Sequence, residues 1–154
     1  VRIVIAAVGR LGRAAEQALA LAYAERASSN GRSLGLGPVE IVEVDARRPG
    51  KAAEAEALIA LADDAHLIAC DEHGQALSSR ALAERIAALR DQGRRRLVFA
   101  IGGADGLDAS LLRHARERLA LGPQTWPHAL ARLMLAEQIY RATTILAGQP
   151  YHRD

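Results

Sequence analysis

Two kinds of apolar run alternate along the chain. Val1–Val8 is short, β-branched and closed by Gly9, as a buried strand would be. Arg13–Ala27 carries helical spacing instead, with Leu19, Ala22, Tyr23 and Arg26 on one face, and runs out at Ser28-Ser29-Asn30-Gly31. Gly31–Pro38, with three glycines, a serine and a proline, predicts a loop. Val39–Val44 predicts a second strand and Ala52–Asp63 a helix, joined by the basic turn Arg47–Lys51. His66–Cys70 predicts a third strand. Ser79–Gln92 predicts a helix with Ser78 as N-cap and Gly93 at its end, and Leu97–Ile101 a fourth strand. Asp108 caps a helix expected over Ala109–Arg118. Pro127 opens a last helix running to about Leu146. Strands alternating with helices at this spacing predict an α/β fold with a mainly parallel sheet. No linker divides the chain, so residues 1–154 read as a single domain.

The last helix departs from the pattern of a surface helix. Leu130, Leu133, Met134, Leu135, Ile139, Ile145 and Leu146 surround it on more than one face, where a surface helix shows one apolar stripe. It is either a core helix or one covered by a partner, and a homodimer is the natural partner to expect.

Composition narrows the class. With 154 residues, 50% of them apolar, and a net charge of +2, the chain is neither disordered nor too short for a core. One cysteine, Cys70, excludes a disulfide scaffold, and no apolar stretch is long enough to span a membrane. Alanine supplies 33 positions and leucine 21, while only 3% of residues are aromatic, so the core is expected to be finely grained and aliphatic. Nineteen of the 20 basic residues are arginine. Arginine suits phosphate recognition, and a pI near 9.1 permits RNA binding, although a GC-rich genome accounts for the same bias. The chain opens directly on a strand with no charged leader or cleavage site, which points to a reduced, cytoplasmic setting.

Three segments are chemically dense. Ile101-Gly102-Gly103-Ala104-Asp105-Gly106-Leu107 lies between a strand and a helix, where glycines let a backbone approach a ligand or simply turn the chain. Its spacing is not that of the dinucleotide fingerprint, and no phosphate loop of the GxxxxGK type occurs. Leu121-Gly122-Pro123-Gln124-Thr125-Trp126-Pro127-His128 is a stiff loop holding the only tryptophan; it presents backbone groups to a planar ligand or merely leads into the last helix. Pro150-Tyr151-His152-Arg153-Asp154 ends the chain with a cluster of functional groups. Arg94-Arg95-Arg96 reads as a solvated turn or as part of a phosphate-contacting patch. His66, His73 and His114 have no metal-ligand spacing, so no metal is expected, and Cys70 reads as a packing residue.

Taken in order, the opening strand with Ala7-Val8-Gly9, the turn Ile101–Leu107, Pro127-His128-Ala129-Leu130-Ala131-Arg132, Ala136-Glu137-Gln138-Ile139-Tyr140-Arg141-Ala142 and the terminal Pro150–Asp154 resemble one family. The chain is similar to SPOUT-class methyltransferases of the RlmH type, which act on a pseudouridine N3 of large-subunit ribosomal RNA. The resemblance spans the whole chain and is most specific from Leu97 to Asp154. The sequence departs from the family pattern where Ala104 and Asp105 replace Pro-Glu in the glycine turn. It departs again where Pro123, Gln124 and Trp126 replace small and aliphatic residues, and where Asp154 replaces a terminal glutamate.

The resemblance implies a SPOUT-type sheet with helices on both faces and a C-terminal deep trefoil knot. It implies S-adenosylmethionine as cofactor, held by Cys70, Gly102, Gly103 and the loop Leu121, Gly122, Pro123, Gln124, Thr125 and Trp126. The expected substrate is 23S rRNA at helix 69 of the assembled ribosome, with a homodimer in which the partner's tail completes the RNA site. Neither a membrane nor DNA is expected as a partner. His152 is the candidate base for the imide proton, with Glu137 second. Arg141 would meet phosphate or the developing anion, Tyr151 would stack on the base, and Arg153 and Arg132 would bind RNA. The alternatives are a SPOUT methyltransferase acting on tRNA and a non-catalytic RNA-binding assembly factor.

Overall fold

The computed structural model describes residues 1–154. In chain order the elements are β1 (Arg2–Val8), α1 (Ala15–Gly31), β2 (Val39–Val44), α2 (Lys51–Leu61), β3 (His66–Ala76), α3 (Ser79–Asp91), β4 (Arg96–Ile101), α4 (Ala109–His114), β5 (Glu117–Ala120) and α5 (His128–Leu146). The five strands form one sheet in the order β2-β1-β4-β3-β5, and every pairing is parallel. β1 and β4 are interior strands buried on both faces, which is why their sequences run apolar without alternation. One face packs against α1, α3 and α5 through Ile3, Ile5, Leu97 and Phe99. The other packs against α2 and α4 through Val4, Ala6, Val98 and Ala100.

The expected α/β sheet with helices on both faces is present, and both side-chain caps fall where the sequence places them. Ser78 Oγ accepts from Ala81 N–H and Asp108 Oδ2 from Ser110 N–H. Four local readings are corrected. The helix expected over Arg13–Ala27 runs Ala15–Gly31, followed by a short 3-10 turn at Arg32–Leu34 inside the segment expected to be loop. Its buried face is Ala20, Ala24, Ala27 and Gly31, while Leu19 is 51% exposed. Small side chains let α1 approach its neighbours closely, so size rather than hydrophobicity chooses the face.

The helix expected over Ala109–Arg118 stops at His114, and Glu117–Ala120 is a strand. Ala115 is already extended (φ −64°, ψ 142°), and the next residues pair with β3 at Ile68↔Glu117 and Cys70↔Leu119. Tertiary pairing overrides the helical propensity of a short charged segment. β3 runs to Ala76 instead of Cys70, with a register shift against β5 between Cys70 and Gln75. Gly74 permits this crossing: a Cβ there would lie 2.7 Å from the Arg118 carbonyl carbon and 2.8 Å from Leu119 N. Lastly, Pro127 is the N-cap of α5, one position before its first residue.

Candidate methyl-donor cleft and tail cluster

The carboxyl ends of β4 and β5, with the middle of β3 just past its pairing with β4, open into one cleft of about 690 Å³, the usual ligand position in an open parallel sheet. Its walls include the middle of β3 (Cys70–Glu72), the turn Ile101–Leu107, Leu119, Leu121, the segment Gln124–Pro127, and His128 and Ala131 of α5. The structure thus gathers Cys70, Gly102, Gly103, Leu121, Gln124, Thr125 and Trp126 around one space. Gly122 faces a neighbouring groove with Leu19, Tyr23 and Leu133, and Pro123 lines neither.

The glycine turn is built tightly. Gly106 N–H donates to the Gly103 carbonyl (3.0 Å), and Gly106 has φ +77°. A Cβ on Gly102 would stand 2.6 Å from the Gly106 carbonyl oxygen, so a side chain at that position forces the turn open. On the facing wall, Trp126 Nε1 donates to the Leu121 carbonyl (2.9 Å), folding the loop onto itself, and Thr125 Oγ1 donates to Glu72 Oε2 (2.7 Å), tying it to β3. Burial pushes the Cys70 thiol up to about 12, so it stays protonated and serves as wall, not nucleophile. His128 Nδ1 is buried without a partner at the start of α5, a polar group left free at the cleft wall. Size, apolar walls, strand-end backbone and this free nitrogen suit an amphiphilic, nucleoside-sized group such as S-adenosylmethionine. No group of three or more His, Cys, Asp or Glu is placed to hold a metal ion.

The second constellation is the tail folded back on α5. Glu137 Oε1 accepts from Tyr151 O–H (2.9 Å) and from Arg141 Nε (3.0 Å) and Nη2 (2.6 Å), while Glu137 Oε2 accepts from Gln138. Arg141 stacks 4.7 Å from the Tyr151 ring centroid, and Tyr140 meets the same ring edge-on at 4.9 Å. Arg141 Nη1 lies 3.2 Å from His152 Nδ1, and His152 Nε2 lies 2.8 Å from Asp154 Oδ1. These partners fit the Nε2–H tautomer, with Arg141 donating to the Nδ1 lone pair. Arg80, at the start of α3, then holds Asp154 Oδ2 at 2.8 Å. Burial and the bond to Glu137 raise the Tyr151 phenol above its usual range, so it remains protonated. The four candidates Glu137, Arg141, Tyr151 and His152 therefore form one network, and Arg153 stands exposed beside it.

Arg132 is the one candidate whose placement rules out its expected role. It is fully buried, and it donates to Gln17 Oε1 (2.8 Å), Glu43 Oε2 (2.8 Å) and the Gly9 carbonyl (3.1 Å). A guanidinium committed inward cannot meet RNA phosphate. It fastens α5 to the ends of β1 and β2, and its bond holds the Glu43 carboxyl below the usual range. The chain's arginine excess masked this: sequence gives no means of separating a buried ion-pair arginine from a surface one. Arg80, His128, Asp71 and Glu72 were missed for a related reason, since each gains its meaning from a contact distant in sequence.

Comparison with known proteins agrees with this geometry. The family described as "Predicted SPOUT methyltransferase" matches residues 1–152. "Ribosomal RNA large subunit methyltransferase H" of Phenylobacterium zucineum is 68% identical over 153 residues, covering 99% of both chains. The protein of that name from Dinoroseobacter shibae is 50% identical over 154 residues, again covering 99% of both chains. Among solved structures, a probable methylase family protein from Haemophilus influenzae Rd KW20 superposes with a TM-score of 0.56 at 16% identity. That match covers 99% of this chain and 70% of the other, and it attests to the fold alone.

Proposed function

The chain belongs to the SPOUT methyltransferase family, and from that premise we propose that it methylates N3 of a pseudouridine in helix 69 of 23S rRNA. It does so on the assembled ribosome, as a cytoplasmic homodimer, with the whole chain acting as one knotted domain. The observation that carries the substrate class is the 68% identity, over 99% of both chains, to a protein named as a ribosomal RNA large subunit methyltransferase. No helix is long and apolar enough to cross a membrane. The knot is supported by the match of residues 1–152 to the SPOUT methyltransferase family.

Helix geometry supports the dimer. Ala131 is the last α5 residue at the cleft, whereas Glu137 and Arg141 stand about 9 and 15 Å further along the same helix at 1.5 Å per residue. The tail cluster thus stands beyond its own cleft, across the adjoining groove that shares Leu119 and Leu121 with it, and is open to a partner's. Leu19, Tyr23, Leu133 and Met134 line a groove of about 550 Å³ beside Glu137, an apolar surface suited to a second copy.

S-adenosylmethionine, when bound, supplies a methyl group already made electrophilic by the sulfonium. The remaining task is to place the base and remove the imide proton. Tyr151 stacks on the pseudouridine. Arg141 turns from His152 towards the negative charge developing on the imide, which frees the His152 Nδ1 lone pair to accept the N3 proton. Asp154 accepts the Nε2–H and steadies the imidazolium. Mass spectrometry of 23S rRNA from cells lacking the protein tests the substrate: the N3-methylpseudouridine signal disappears, and its persistence overturns the reading.

A further inference from the structure

The chain carries 20 lysines and arginines, yet none of them lines the cleft. Three carboxylates do: Asp71, Glu72 and Asp105. Asp71 has only 17% of its side chain exposed. Its nearest basic neighbour is the imidazole of His73, 4.0 Å away and itself 81% exposed. Glu72 is fixed on the cleft wall by the neutral Thr125 hydroxyl, with His73 again the only basic group near it, at 4.0 Å. Asp105 sits on the glycine turn. His128 is the other ionisable nitrogen, and the Cys70 thiol stays neutral. Elsewhere eight acids are paired with arginines, among them Glu43 with Arg132, Glu117 with Arg85 and Glu137 with Arg141, whereas none of the three in the cleft is. The cleft therefore holds a concentration of uncompensated negative charge in a protein that is net positive.

We propose that Asp71 and Glu72 make this cleft select its occupant by charge at sulfur, favouring the sulfonium form of the methyl donor over its neutral thioether product. The inference rests on the reading of the cleft as the methyl-donor site. S-adenosylmethionine carries both a sulfonium and an ammonium, while S-adenosylhomocysteine keeps only the ammonium. A carboxylate nearby, partly screened by solvent, discriminates between the two by roughly three- to tenfold. Such selection lets spent product leave once the methyl group has gone. The same charge repels RNA phosphate, so the nucleic-acid backbone stays at the rim while the base alone enters.

Isothermal titration of the full chain with S-adenosylmethionine, S-adenosylhomocysteine and sinefungin, in which an amine-bearing carbon replaces the methylated sulfur, tests this. Wild type is expected to bind S-adenosylmethionine and sinefungin more tightly than S-adenosylhomocysteine. Asp71→Asn and Glu72→Gln each narrow that preference by roughly threefold or more, and the double variant nearly abolishes it. Affinity for S-adenosylhomocysteine changes much less. An unchanged ratio in the double variant overturns the inference and leaves the cofactor reading intact. Failure of wild type to bind either compound overturns the cofactor reading itself. Should the variants not fold, salt titration of wild type decides: rising ionic strength weakens S-adenosylmethionine more than S-adenosylhomocysteine, and equal weakening overturns the proposal.

Discussion

In the cleft, the walls come from three strands, two loops and the first turns of α5, and much of what they offer is backbone and apolar surface. In the tail cluster, the candidate side chains come from one face of α5 and the five residues that end the chain, and nearly every polar atom is already paired. The cleft is shaped by glycines that cannot be enlarged. The tail is shaped by hydrogen bonds that can be exchanged. A binding site for a constant cofactor gains from rigidity. A site that receives a base from a ribosome needs groups that can trade partners, as Arg141 does in the proposed mechanism. One region fixes a ligand and the other answers to one.

If the two regions divide the work in this way, losing the tail removes chemistry without removing cofactor. His152→Ala and Arg141→Ala are expected to lower ribosome methylation by about 10²–10⁴-fold while S-adenosylmethionine affinity stays within about twofold. Equal loss of both in titration and rate assays would erase the distinction. Gly102→Val does the reverse, because its Cβ meets the Gly106 carbonyl oxygen at 2.6 Å. Cofactor binding should fall by at least about 100-fold with Tyr151 and His152 undisturbed. Mixing Gly102→Val with His152→Ala subunits sharpens the comparison: hybrid dimers hold one intact cleft facing one intact tail, so roughly a quarter of wild-type activity returns. No recovery would place cleft and tail of one chain in the same site.

Smaller effects probe the supports. Arg132→Ala leaves Glu43 without its partner and is expected to cost about 3–5 kcal/mol in denaturant unfolding. A pure loss of ribosome affinity at unchanged stability would restore Arg132 to the RNA surface. Arg153→Ala should weaken ribosome binding a few-fold and reduce its salt dependence by about one phosphate contact.

The smallest effect lies at the start of β5, where Glu117 stands outside both regions, two residues before Leu119 of the cleft wall. Burial raises the Glu117 carboxyl, but bonds from Arg85 and His66 more than offset this and leave it below its usual range. Because the folded value is depressed, this stabilisation is fully present above the ordinary glutamate pKa. It is lost as pH falls through the lower folded value. Acid unfolding of Glu117→Gln should therefore show a shallower loss of stability below about pH 4 than wild type, with methylation at neutral pH little changed.

The legible parts were those whose cause is local. Strands β1, β2 and β4 announced themselves by β-branched runs, the caps Ser78 and Asp108 by their position before apolar periodicity, and the glycine turn by its composition. β5 was not legible, because Glu-Arg-Leu-Ala has no strand character of its own and is made a strand by pairing with β3. The loop expected from the resemblance to hold the cofactor is brought to the cleft by the fold at Leu121, Gln124, Thr125 and Trp126, while Gly122 lines the neighbouring groove and Pro123 lines neither.

By itself, then, the sequence determined the alternating α/β architecture, the family, and the segments that carry chemistry, since these follow from periodicity, turn chemistry and motif. Only the tertiary structure decided which charges are spent internally and which remain free. Arg132 and Arg153 are the same residue type in one arginine-rich chain, yet one is sealed against Glu43 and the other stands in solvent. Asp71 and Glu72 look like ordinary acids until the fold withholds every arginine from their cleft. The reason is physical: a charge acts through its neighbours and its dielectric surroundings, and both are set by chain segments far away in sequence.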